Sequence, residues 1–366
     1  MTLPERVLAL AIQIQQISAP TFAEGPRAEF VRDLFTKENL EDVSMDSLGN
    51  VFARLPGKQK KAKPLIVSAH TDTVFPAGTK LQVREEAGRV FGPGIGDNSI
   101  GVAGLFGILW GIRGKKIQLT HDVWFVANVG EEGLGDLRGM RGVVERFEAE
   151  VIGYLILEGL ALGHVYHRAI GVRRYRITAK TRGGHSWSDY GSPSAVHELA
   201  ALVTQLTQFR LPREPRTTMN VGTIQGGTGV NVLAAEARCE LDLRSEDPAV
   251  LAKTVSRVED IILHWTREGV KIQAEVIGER PAGEVPAAHP FVTLALNCAR
   301  EQELDAALTT GSTDANVPLS RGIPAVVMGI TTGGGAHTLN EYIDTGPIEK
   351  GLESLARFVE LVGLVE

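Results

Sequence analysis

Cysteine is nearly absent: Cys239 and Cys298 are the only two in 366 residues. They are too few and too far apart for a disulfide framework or a thiolate metal site, which fits a reducing compartment, and both are expected in the core. Long apolar runs are missing too. No stretch approaches about 20 apolar residues, so no membrane span is expected. Glu5, Arg6, Gln13, Gln15 and Gln16 interrupt the amino-terminal region where a signal peptide needs a continuous apolar stretch, and the expected location is the cytoplasm. The third absence is an excess of positive charge. A net charge of −6 weighs against nucleic acid as a partner, because that role asks for a basic face. The lysine cluster Lys58-Gln59-Lys60-Lys61-Ala62-Lys63 reads as a solvated loop. There is no internal repeat and no low-complexity segment.

What is present is ordinary globular composition, 43% apolar and 22% charged, in a chain long enough for two domains. Apolar periodicity predicts helices over Pro4–Ile17, Gly25–Glu38 and Ile100–Ile112 and strands over Val51–Leu55, Leu65–Ala69, Val123–Val129 and Val151–Leu157. Such alternation argues for an α/β fold, a mostly parallel sheet with helices on both faces. The pattern changes near Ala169. Strands over Val172–Lys180, Met219–Gln225, Ala235–Leu243 and Lys271–Ile277, with helices over Ser194–Gln208 and Pro248–Arg267, suggest an inserted α+β sandwich. After Pro281 the α/β pattern resumes, with a helix over Pro290–Gln302, a strand over Ala325–Met328 and a closing helix over Ile348–Leu364. The chain therefore divides into residues 1–169 with 282–366, and an insertion, 170–281.

His70-Thr71-Asp72 directly follows the apolar run Leu65–Ala69, at a carboxyl strand end, where open α/β sheets keep their chemistry. Alone, the triplet also fits an ordinary turn. Four other segments place acids or histidines at strand ends or in glycine-rich turns: Gly96-Asp97-Asn98, Glu131-Glu132-Gly133, Glu158-Gly159 and Ala336-His337, with Asn340-Glu341 beyond. Gly92-Pro93-Gly94-Ile95-Gly96 is no phosphate cradle, since it lacks a P-loop lysine and puts Asp97 where a phosphate would sit. Glu131-Glu132 follows a strand too apolar to be peripheral. Two neighbouring carboxylates that both stay ionised need positive charge nearby. Two divalent cations would supply it, with one carboxylate binding metal and the other free to take a proton from water.

In order and spacing these five motifs resemble the metal-site motifs of the co-catalytic zinc peptidase family, which includes bacterial glutamate carboxypeptidase, acetylornithine deacetylase, succinyl-diaminopimelate desuccinylase, aminoacylase and peptidase T. The resemblance spans essentially the whole chain. It implies two divalent ions, zinc with cobalt or manganese as substitutes, one held by His70, Asp97 and Glu158 and the other by Glu132, His337 and the bridging Asp97. It further implies that Asp72 orients His70 and that Glu131 is the general base. Gly183-Gly184-His185-Ser186 resembles the family's lid histidine, which reaches from the partner of a homodimer to the oxyanion. Val230-Asn231-Val232 and Asp242-Leu243-Arg244 resemble lid motifs near the substrate, and Arg280 resembles an arginine that grips a substrate carboxylate. His185 as a turn cap and Arg280 as a hinge residue are the competing readings.

The implied function is hydrolysis of an amide bond in a small peptide or N-acyl amino acid, by a catalytic domain carrying a lid and dimerisation insert. Glu158, where the peptidase T and dipeptidase branches usually have aspartate, leans toward the carboxypeptidase and deacylase branches. The alternatives are an N-acyl amino acid deacylase of the acetylornithine or succinyl-diaminopimelate type, and a binding relative without chemistry. The histidines at 121, 164, 167, 197, 264 and 289 match no metal motif.

Overall fold

The computed structural model describes residues 1–364. Its contacts divide the chain into two compact units, residues 1–169 with 283 onward, and residues 170–282.

The first unit is built on a nine-stranded mixed sheet. Its centre is parallel: Leu65–His70 runs between Val123–Asn128 and Gly153–Leu157, and Ala325–Met328 continues in the same sense. The margins are antiparallel, with Glu41–Met45 and Val51–Leu55 on one side and Gly283–Glu284 on the other. All six residues of Leu65–His70 are buried, as expected of a central strand covered on both faces. Because the central strands are parallel, His70, Asn128 and Leu157 end at one edge of the sheet. Glu131, Glu132 and Glu158 follow immediately in the chain.

Three strands of this sheet carry little sequence signal. Glu41–Met45 (EDVSM), His164–Ala169 (HVYHRA) and Ala307–Gly311 (ALTTG) lack a clean apolar pattern, and long-range pairing makes them strands. A small second sheet, Gly333–Gly334, Tyr342–Asp344, Arg89–Phe91 and Arg84–Glu86, is equally hard to read. It matters for the site. Pairing of Tyr342 with Phe91 and Ile343 with Val90 lays the segment containing His337 against the turn containing Asp97.

One core segment bears on the membrane expectation. The segment Ile95–Gly114 contains an 18-residue window with mean hydropathy 1.3, apolar enough by composition to cross a bilayer, although its backbone is not helical at Asp97 and Asn98. The helix Ile100–Gly114 is instead a core element. It packs on the helices Leu3–Gln15 and Ile348–Leu361, and 89% of the most apolar 18-residue window is buried. Its close packing uses glycine: a Cβ on Gly107 would lie 2.6 Å from a Leu352 methyl and 2.9 Å from one of Val7.

His121 supplies a pH-dependent part of this unit's stability. The side chain is 1% exposed, and burial, opposed by Asp122, lowers its pKa from 6.5 to about 4. The folded state therefore holds a neutral imidazole, while the unfolded chain protonates near 6.5. The contribution is complete above pH 6.5 and is lost as pH falls toward 4, up to about 3 kcal/mol. Denaturant titrations at pH 7.5 and 4.5 should show that His121→Leu is relatively more stable at the lower pH. Equal effects at both would count against this account.

The second unit is a four-stranded antiparallel sheet in the order Thr217–Gly226, Glu236–Ser245, Gly171–Thr181, Val270–Arg280. Helices Ala195–Thr207 and Pro248–Trp265 pack on it. Asp247 caps the second helix by accepting from the Val250 amide at 2.9 Å, a typical N-cap. Alternate strand residues such as Tyr175, Ile177 and Leu243 meet Leu199, Leu202 and Val258 in a separate core. Cys239 lies in this core and Cys298 in the first, both buried and unpaired with each other.

Candidate metal centre

At the carboxyl edge of the parallel strands, two triads of ligand-type atoms share one residue: His70, Asp97 and Glu158, and Asp97, Glu132 and His337. Within each, the candidate ligand atoms lie within 4.8 Å of one another. Asp97 divides its oxygens between them, Oδ1 lying 3.1 Å from His70 Nε2 and Oδ2 lying 3.0 Å from His337 Nε2. Glu158 Oε2 is 3.7 Å from His70 Nε2, and Glu132 Oε1 is 3.3 Å from His337 Nε2.

Each side chain is set by local structure. Glu158 follows a strand end, and the glycine after it is obligatory in packing terms, because a Cβ on Gly159 would sit 2.2 Å from the Gly96 carbonyl oxygen. Asn98 ties the same two segments together. Its Nδ2 donates to Leu157 O at 2.8 Å, and its Oδ1 accepts from the Gly159 amide at 3.0 Å. His337 holds a left-handed backbone, φ 65°, seldom adopted by a residue with a Cβ and found disproportionately at functional sites.

Asp72 has a wider part than orienting His70. His70 Nδ1 lies 3.1 Å from the Asp72 carbonyl and 3.5 Å from Oδ1, so the main chain is the closer partner. The carboxylate accepts from the amides of Glu131 and Glu132, each at 3.0 Å, and from Thr21 Oγ1 at 2.9 Å. It thus fixes the backbone of the two glutamates. From behind, the buried Arg27 donates from Nη1 to Thr71 O at 2.7 Å. Burial, opposed by Asp72, lowers the Arg27 pKa to about 10.

Electrostatics mark the cluster as one designed around positive charge. Hydrogen bonds donated to the Asp97 and Glu132 carboxylates raise the His337 pKa to about 10. Burial opposes protonation of His70, yet Asp72, Asp97 and Glu158 raise it well above the ordinary value. Burial would raise Asp97, but the two histidines hold it far below the carboxylate range. Glu158 is raised by burial despite His70. Glu132 Oε1 is buried with the His337 imidazole beside it, a placement that suits an atom meeting a cation. Two imidazoles and three carboxylates suit zinc, cobalt or manganese.

Two further buried acids lie nearby. Asp314 accepts from Asn128 Nδ2 at 2.7 Å, and burial pushes its carboxyl up to about 7. Glu341 accepts from three main-chain amides of the Asp97 turn, and burial, with Asp97 adding to it, pushes its carboxyl up to about 7. Its one sequence signal was an acid four residues after His337. Arg27 had none, since an arginine on an amphipathic helix reads as solvent-facing.

The remaining expected residues lie in the second unit. His185 is exposed, and its Nδ1 accepts from the amides of Trp187 and Ser188 at 3.2 and 3.4 Å. Asn231 is its neighbour through the Ser186 amide, which donates to Asn231 O at 3.0 Å. Arg244 and Arg280 both pair in register with Val172, from opposite sides, which puts them in one row of the sheet roughly 10 Å apart along it. Arg244 is engaged by Asp242, Nε to Oδ1 at 2.7 Å, and Arg280 is 5% exposed. None of the other histidines falls in either triad; His289, for instance, caps a helix by accepting from the Phe291 amide at 3.1 Å.

A cleft of about 830 Å³ opens beside His337, within the range of small-molecule sites. Phe75, Val83, Phe91 and Leu339 supply apolar walls.

This fold and cluster define a metal-dependent hydrolase whose centre is dinuclear. Residues 66–361 match the model of peptidase family M20/M25/M40, and the chain belongs to that family. An acetylornithine deacetylase of Proteus mirabilis is 26% identical over 326 residues, 82% of this chain and 80% of that one. The aminopeptidase PepT of Bacillus cereus shares the fold, with a TM-score of 0.79 at 22% identity over 98% of both chains. The YXEP protein of Bacillus subtilis, described as a dinuclear metal binding peptidase of the M20 family, does so with a TM-score of 0.69 at 17% identity over 100% of this chain and 99% of that one.

Proposed function

We propose that the chain hydrolyses an amide bond in a small peptide or N-acyl amino acid, with His70, Asp97 and Glu158 holding one zinc ion and Asp97, Glu132 and His337 the other. The shared Asp97, one oxygen toward each histidine, is the observation that carries this reading. Such ions supply Lewis acidity toward the scissile carbonyl and toward water. Glu131 takes a proton from the attacking water and returns it to the leaving nitrogen as the C–N bond breaks, giving a carboxylate and an amine. Asp72 holds that glutamate by its amide.

In this proposal residues 170–281 form a lid and dimerisation domain. His185 stabilises the oxyanion from the partner of a homodimer, and Asn231, Arg244 and Arg280 face the substrate. The location is the cytoplasm, with no nucleic-acid or membrane partner. Deacylation of N-acyl amino acids is the second reading, supported by the relation to acetylornithine deacetylase.

The test is a panel of dipeptides, tripeptides and N-acyl amino acids, assayed with the protein loaded with two equivalents of zinc or cobalt. The apolar cleft beside His337 leads us to expect kcat/KM about tenfold or more higher for substrates with a bulky apolar group than for glycine or acetyl counterparts, since burying such a group contributes roughly 1.5–3 kcal/mol. No turnover across the panel would sink the hydrolase reading. Faster turnover of the acyl series than of the peptides would favour the deacylase.

A further inference from the structure

Glu341 is fully buried, and no step proposed above uses it. Its Oε1 accepts from the amides of Gly96 at 2.7 Å and Asp97 at 2.8 Å, and its Oε2 from the amide of Gly94 at 3.1 Å. Its own carbonyl accepts from the Gly92 amide at 2.9 Å. One residue therefore receives four main-chain donors from the turn carrying the shared carboxylate. Three converging donors on the side chain need an acceptor with two oxygens. A glutamine offers one, and would turn an N–H₂ toward an N–H.

The same residue belongs to the segment bearing His337. That segment folds back on itself, the Glu341 amide donating to Thr338 O at 3.2 Å and the Thr338 amide to Gly335 O at 3.0 Å. Glu341 is thus a clamp between two segments more than 240 residues apart in sequence, and the gap it spans is the one in which His337 Nε2 stands 3.0 Å from Asp97 Oδ2. Asn98 holds the opposite side of the turn to the Glu158 strand end. Asp97 is fixed between these two anchors.

We propose that Glu341 is a positioning residue of the dinuclear centre, holding the Asp97 turn against the His337 segment so that one carboxylate can serve both metal sites. This rests on the dinuclear reading above. Residues that orient ligands typically contribute 10–100-fold in metal affinity when removed.

The test uses full-length Glu341→Gln and Glu341→Ala proteins beside wild type, His337→Ala serving as a single-site reference. Cobalt titrations followed by visible absorption and calorimetry should show both equivalents weakened about 10–100-fold in Glu341→Gln, and more in Glu341→Ala, with an altered cobalt spectrum. His337→Ala should weaken mainly one. In the metal-free proteins, amide exchange at Gly94, Gly96 and Asp97 should accelerate at least tenfold in Glu341→Gln, with the central strands unchanged. Wild-type affinities and spectrum in Glu341→Gln, whether or not its Tm falls, would overturn the proposal and leave Glu341 a fold-stabilising residue. Should wild type bind fewer than two ions, the dinuclear reading fails by itself, and unchanged exchange at the three amides would independently refute the clamp. If Glu341→Ala does not fold, the near-isosteric Glu341→Gln decides.

Discussion

Replacing Glu131 by glutamine is expected to lower kcat by about 10³–10⁴-fold, the upper part of what a positioned general base contributes and roughly 4–5.5 kcal/mol of barrier. Metal content should stay at two ions per chain. The two adjacent glutamates divide the labour in this proposal. Asp72 accepts from both glutamate amides, one carboxylate oxygen to each. The Glu132 side chain lies 3.3 Å from His337 and belongs to a triad, whereas Glu131 belongs to neither. In the proposed mechanism, exchanging Glu131 removes a proton acceptor without removing a member of either triad. Glutamine keeps the volume and the main-chain anchors, so the fold should be undisturbed. Single-turnover rates and metal analysis on the same preparation provide the check. Loss of an ion along with activity would make Glu131 a ligand instead.

For Asp97 the expectation is the reverse. Asp97→Ala should remove the common member of both triads and weaken both ions by at least about 100-fold, at or beyond the upper end of the effect of losing an orienting partner. His70→Ala and His337→Ala should each weaken chiefly one. Asp97→Asn discriminates further, because its single carbonyl oxygen can face His70 or His337 but not both. It should retain one tightly bound ion. Stoichiometry by elemental analysis, with cobalt spectra of the remaining site, would decide. Equal loss of both ions in Asp97→Asn would mean that the sites form as a unit.

The expected elements match the observed ones most closely where apolar residues carry the pattern. The helices beginning at Leu3, Gly25, Ile100 and Ile348, and the strands Leu65–His70, Val123–Asn128 and Ala325–Met328, lie within a few residues of expectation. Glu41–Met45 and Ala307–Gly311 were not legible, because a short polar segment becomes a strand only when a neighbour supplies its hydrogen bonds. The cap of Leu3–Gln15, in which Thr2 and Glu5 bond reciprocally, is local and readable. The small sheet that brings Gly333–Gly334 and Tyr342–Asp344 to Arg89–Phe91 is neither.

The sequence by itself determined which residue types stand at the strand ends. His70, Glu131-Glu132 and Glu158 follow apolar runs whose burial forces parallel strands into the core, and a parallel sheet brings their carboxyl ends to one edge. Asp97 and His337 lie in glycine-rich turns, where no periodicity acts. Their meeting was decided by tertiary structure, through pairing of segments some 240 residues apart and through the Glu341 carboxylate that collects the amides of the Asp97 turn. Tertiary structure also redirected Asp72, whose oxygens meet the Glu131 and Glu132 amides more closely than the imidazole beside it. The physical reason is common to both. Hydrophobic burial is encoded residue by residue, whereas a buried carboxylate takes whichever main-chain donors the finished fold leaves unsatisfied within reach.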